Sequence, residues 1–165
     1  MVTVRPKRIL LWAMSFLIFL MSALGLTGCG ATQEQAAVET KPGFENLAEA
    51  PVWITSIKAE DVPMYNEASI DYTNKTAKII DQLEFDLLLF DKSGNPIVDT
   101  SSQSSNRHVI TKKQLLPNGS DSGKWYIQKG ALKMKARLAR AVFFDGTTWD
   151  DPDTSKWIER EISKY

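Results

Sequence analysis

The chain of 165 residues carries 20 basic and 20 acidic residues and a single cysteine, Cys29, which excludes an intramolecular disulfide and a cysteine-built metal site. Its length fits one domain plus extensions, since a typical domain is roughly 100–150 residues. The balanced charge exerts no strong pull on nucleic acid or anionic headgroups, and a nucleic-acid partner is not expected.

The first 28 residues differ in texture from the rest. Arg5, Lys7 and Arg8 form a basic head, residues 9–20 are almost unbroken hydrocarbon, and no acidic residue precedes Glu34. That is the layout of an export signal. A permanent membrane-spanning helix is the rival, because the apolar run approaches the ~17–25 residues that cross a bilayer. The end of the run favours the signal. Leu26, Thr27, Gly28 and Cys29 look like the lipobox of bacterial lipoproteins, in which the thiol is alkylated by a diacylglyceryl group and the chain is cut before it. Gly28 leaves the scissile bond uncrowded, Leu26 suits an apolar peptidase pocket, and Cys29 supplies a soft nucleophile. Lipidation would also remove the lone thiol of an exported protein. Processing would leave 17 basic against 20 acidic residues, so lipid rather than charge would hold the chain at a membrane.

Residues 29–50 are small, polar and weakly acidic, with a break at Pro42-Gly43, and read as a lipidated cysteine and flexible tether. A helical turn near Phe44 is the alternative for its last part. The domain is expected over residues 51–165, as short strands between turn signals. Residues 52–59 alternate Trp53, Thr55 and Ile57 against Ile54, Ser56 and Lys58; residues 68–72 place Ala68, Ile70 and Tyr72 on one face. Asn74-Lys75-Thr76 turns the chain. In residues 79–91, Leu83, Phe85, Leu87 and Leu89 form an apolar face opposite Gln82, Glu84 and Asp86. A turn at residues 92–95 precedes a short strand over 97–99, at an edge because of Pro96. Residues 107–111 form a further strand, 116–119 a turn, and 124–128 a strand with Trp125 and Ile127 on one face.

The second long strand covers residues 132–144. Leu132, Met134, Ala136, Leu138, Val142 and Phe144 share a face with Arg140 as intruder, while Lys133, Lys135 and Arg137 occupy the other. A helix is the rival for its first part, composed of good helix formers; the alternation and the Asp145-Gly146 hairpin signal favour a strand. If the long strands are neighbours, Glu84 and Asp86 can pair with the basic stripe, at ~0.2–1 kcal/mol per pair; a binding patch is the functional rival. Residues 157–162 are a last strand or a short helix. About seven to eight antiparallel strands without a long helix define an all-β sandwich.

Asn74, Lys78-Ile79, Leu87-Leu88-Leu89-Phe90-Asp91 and Gly94-Asn95-Pro96-Ile97 together resemble the small bacterial domains named FxLYD. Leu89-Phe90-Asp91 stands for the family's Leu-Tyr-Asp triplet, with Phe for Tyr and Leu87 for the leading Phe. Leu116-Pro117-Asn118-Gly119 is similar to the family's later Pro-Gly turn, and Phe144-Asp145-Gly146 with Trp149 to the closing hairpin of related domains. The resemblance implies an immunoglobulin-like sandwich on an exported protein, with no catalytic residues to carry over.

His108 is the only histidine. Ser101, Ser102, Ser104 and Ser105 lie nearby, but their loop composition needs no catalysis to explain it, and a surface or strand-end histidine is expected. Asp145, Asp150, Asp151 and Asp153 offer oxygen ligands of the kind that suit Ca²⁺, yet without the spacing of an EF-hand. Trp53 and Trp125 are assigned to the core, and Trp149 and Trp157 to an exposed contact beside the acidic loop. The expected protein is therefore not an enzyme and needs no cofactor or metal. It is a lipid-anchored envelope module with an envelope protein as partner, on the outer membrane of a Gram-negative cell or otherwise on the outer face of the cell membrane. The alternative is a ligand or Ca²⁺ binder using residues 145–157: Asp145, Trp149, Asp150, Asp151, Asp153 and Trp157.

Overall fold

The computed structural model describes residues 43–98 and 103–164. The signal, Leu26, Thr27, Gly28, Cys29 and Asp99 lie outside them; Ile97 and Val98 of the short strand expected there are not in a strand, and Pro96 makes only an isolated bridge to Phe90. The described residues form seven strands and one helix: β1 (Val52–Val62), β2 (Tyr65–Asn74), β3 (Ile80–Phe90), β4 (Asn106–Thr111), β5 (Ser120–Ile127), β6 (Lys133–Phe143), β7 (Thr148–Asp150) and α1 (Thr154–Ile162). One sheet has the order β1-β2-β5 and the other β4-β3-β6-β7. All pairings between these strands are antiparallel, and chain-order neighbours repeatedly change sheet, as in an immunoglobulin-like sandwich.

The core lies between the sheets. The inward row of β2 reads Asn66, Ala68, Ile70, Tyr72, Asn74, and all five are buried. Tyr72 meets Phe85 at a ring separation of 5.5 Å, and Phe85 meets Trp125 at 6.1 Å. The two asparagines that end this row are satisfied by carbonyls of the loops. Asn66 Nδ2 donates to Ala131 O at 2.8 Å. Asn74 Nδ2 donates to Lys78 O, Leu115 O and Leu116 O at 2.8–3.2 Å, while Thr76 N–H donates to its Oδ1. A buried amide with its partners made closes the end of a sandwich; without them it costs about 1–3 kcal/mol.

Three β-bulges decide which side chains face that core. In β1 the register steps from Ile54 to Ser56, so Ile57 turns back toward the core and Trp53 faces outward, 44% exposed, contrary to its expected place inside. In β6 the residue opposite Phe85 is Leu138 and the one opposite Glu84 is Arg140. Ala139 is the extra residue, so Ala141 and Phe143 are the buried members, and Arg140 is no intruder but an outward residue. Phe144, expected on the core face, is exposed for the same reason. Asp81 is the extra residue in β3.

Residues 43–50 belong to the folded unit rather than to a tether. Phe44 bridges to Ala136, Asn46 exchanges two 2.8 Å hydrogen bonds with the backbone of Ile54, and Phe44 and Leu47 pack on the core. The C-terminal segment is a helix. Trp157, Ile158 and Ile162 of α1 cover Leu88 and Phe90, which point away from the sandwich interior. Residues 87–90 therefore lose alternation because both faces of the strand are buried. Among the described residues no helix is long and apolar enough to cross a membrane.

Candidate functional site

The residues expected to form one acidic and aromatic surface are separated by the fold. Trp157 is 3% exposed, a core residue of the α1 layer rather than an exposed contact. Asp151 is buried with it: Arg137 donates from Nε at 2.5 Å and from Nη2 at 3.0 Å, and Asp151 in turn accepts the Asp153 N–H and the Thr154 hydroxyl. One carboxylate thus compensates a buried guanidinium and, through an Asx turn to Asp153 and the Thr154 hydroxyl, fixes the chain where it enters α1. Burial pushes the Asp151 carboxyl up, but the hydrogen bonds outweigh it and hold it below its ordinary range.

The neighbouring acids have their own cations. Asp153 pairs with Lys156 at 2.7 Å and Asp150 with Arg140 at 3.5 Å. Asp145 takes Lys78 Nζ at 2.8 Å together with the Thr147 hydroxyl and N–H, which hold its carboxyl well below the usual carboxylate range. Among the described residues no group of three or more ligating side chains is arranged around a metal position.

The basic stripe on β6 also finds partners. Although Arg137 stands opposite Asp86 in the register, its carboxylates are Asp151 and Glu45. Lys135 reaches Glu161 of α1 at 2.7 Å, where Arg160 and Lys164 also converge. Burial pushes the Glu161 carboxyl up, and the hydrogen bonds from Lys135, Lys164 and Arg160 bring it down to about 2. Asp86 instead faces His108 Nδ1 at 3.1 Å, with Glu84 at Nε2 at 3.0 Å. Ser104 Oγ accepts the Asn106 N–H. His108 is thereby a strand histidine held between two carboxylates.

What remains open is a groove at one end of the sandwich. It encloses 720 Å³, within the range of ligand sites. Trp53 of β1, Phe143 of β6 and Trp149 of β7 supply aromatic walls. The segment before β1 contributes Glu49 and the β2–β3 loop contributes Lys75 and Lys78. Lys75 Nζ sits 4.8 Å over the Trp53 ring and Lys78 Nζ 5.1 Å over Phe143, separations at which a cation is held by the ring face. Lys78 is neutralised by Asp145. Lys75 and Glu49 make no ion pair among the described residues. Of the expected surface, only Trp149 lines this groove, with Asp145 behind Lys78. Trp53 was not legible as a site residue, because the bulge that turns it outward leaves no mark in the alternation.

The fold and groove define a seven-stranded antiparallel sandwich with a helix on one outer face. The chain belongs to a family of unknown function (DUF5780), whose pattern matches residues 67–164. Among solved structures it is similar to a hypothetical protein from Peptoclostridium difficile 630, with a TM-score of 0.56 and 14% identity over 70% of this chain and 92% of that one. That likeness concerns the fold. Lower similarity joins it to a DUF1425 family member from Shewanella sp. pv-4, with a TM-score of 0.40 and 11% identity over 53% of this chain and 75% of that one. The Salmonella enterica trimeric lipoprotein SadB follows at a TM-score of 0.37 and 14% identity, over 61% of this chain and 53% of that one. No curated protein matches the sequence.

Proposed function

We propose that the protein is a lipid-anchored, non-catalytic interaction module of the cell envelope, held by acyl chains on Cys29 and contacting its partner through the Trp53–Trp149 groove. The observation that carries the anchor is the sequence Leu26-Thr27-Gly28-Cys29 closing an apolar run and containing the only cysteine. Two acyl chains suffice for stable attachment where one gives marginal binding. The membrane is the outer one in a two-membrane cell, otherwise the outer face of the cell membrane.

The distribution of partners supports the non-catalytic reading. His108 is taken up by hydrogen bonds to Asp86 and Glu84, and the four aspartates of residues 145–153 and Glu161 by internal ion pairs, whereas the groove presents aromatic walls and a sparse polar rim. Such a surface recognises shape and ring faces rather than activating a nucleophile. The likeness to FxLYD domains rests on Leu89-Phe90-Asp91 and Gly94-Asn95-Pro96, which form the end of β3 and the turn after it.

Mass spectrometry of the mature N-terminus tests the anchor. The expected species begins at a diacylglyceryl-modified Cys29, and Cys29→Ala is released from membranes. An intact Met1, or an unmodified Cys29, overturns it.

A further inference from the structure

We infer that the Trp53–Trp149 groove binds an uncharged, hydroxyl-rich sugar chain, such as a glycan strand of the envelope; this rests on the interaction-module reading and names its ligand class. Three features of the groove select that chemistry. Its accessible walls are the rings of Trp53 and Trp149 beside the buried Phe143, and a pyranose presents a flat C–H face that packs on an indole as aromatic and apolar faces do. Its rim is polar but weakly charged overall. Lys78 is cancelled by Asp145, and the remaining Lys75 and Glu49 carry opposite charge, which disfavours a polyanion and equally a polycation. Thr76, Thr147 and Thr148 also line it, their hydroxyls already donating to Asn74, Asp145 and Asp150. A hydrocarbon tail would strip water from Lys75 and Glu49 without replacing it; a sugar offers both donors and acceptors to an ammonium and a carboxylate together.

The groove also suits such a ligand in size and construction. At 720 Å³ it is open rather than closed over, as befits an internal stretch of a polymer. Its elements are stiffened by hydrogen bonds that involve none of the rings. Asn74 ties the β2–β3 loop to the strands, and Phe143 N–H donates to Thr147 O at 2.9 Å to fix the β6–β7 hairpin. The site is pre-formed, which lowers the ordering cost of binding.

The test uses the full-length protein in detergent, with a chito-oligosaccharide as probe, followed by tryptophan fluorescence and calorimetry. Saturable binding is expected, weakened about tenfold by Trp53→Ala, the order of effect of one lost stacking contact. Lys75→Ala should weaken it less. Because Trp53 is outward-facing, Trp53→Ala should keep the thermal midpoint, separating lost binding from lost folding. No saturable binding by the parent protein, or binding undiminished in both variants, overturns the inference. Saturable binding of a proline-rich peptide instead of the sugar, lost in Trp53→Ala, also overturns it while leaving the interaction module standing. Failure of that reading appears separately, as an unmodified Cys29.

Discussion

Two regions of the sandwich use the same residue types to opposite ends. Beneath α1, tryptophan, lysine, arginine and carboxylates form a closed layer: Trp157 is buried on Leu88 and Phe90, and Arg137, Asp151, Lys135, Glu161, Glu45 and Arg160 satisfy one another. At the groove, Trp53 is outward and half-exposed, and Lys75 and Glu49 are left without ionic partners among the described residues. A polar group satisfied inside the molecule has little left to offer a ligand, whereas ring faces and ions left over at a concave end are available for one. The charge-rich C-terminal loop is therefore structural, and the less conspicuous end of the molecule is the candidate site.

The sharpest way to break this contrast is to remove one member of the buried pair. Arg137→Ala leaves Asp151 uncompensated and should cost about 3–5 kcal/mol in denaturant unfolding, as for other broken buried pairs. A loss no larger than that of an exposed pair would mean the α1 layer is not closed. Asn74→Ala should cost about 1–3 kcal/mol, because it orphans carbonyls at the groove end of the sandwich. Next is the response to acid. Glu161 and Asp151 are both held below their ordinary range, so the stability they contribute is present above that range and is lost as pH falls through their folded values. Undocking of α1 should therefore appear between about pH 4.5 and about 2 for Glu161, read as a red shift of Trp157 fluorescence. The smallest effect on folding belongs to Trp53→Ala, within about 0.5 kcal/mol as for most surface changes. A large loss there would place Trp53 among the structural residues and erase the distinction between the two regions.

Much of the strand pattern was readable from alternation alone. Ala68, Ile70 and Tyr72, and Leu83, Phe85, Leu87 and Leu89, are inside as their spacing requires. Turns at Gly94, Asn118 and Gly146 adopt the positive φ their residue types permit. The candidate site was barely readable. Trp149 stands out only through its acidic neighbours in sequence, the alternation of β1 puts Trp53 inside, and Lys75 reads only as part of a turn. One sequence signal does point to the helix, the unbroken run from Leu87 to Phe90, which demands cover on both faces of β3.

The sequence by itself determined a sandwich, its hairpins and the export-like head that ends in Cys29, because period-two burial, turn residues and apolar runs are local properties of the chain. Tertiary structure alone decided which aromatic side chains are buried and which charges are spent. Single-residue bulges at Thr55, Asp81 and Ala139 reverse the facing of everything beyond them. They arise where one strand must fit its neighbour, and a strand's own alternation holds no record of that fit.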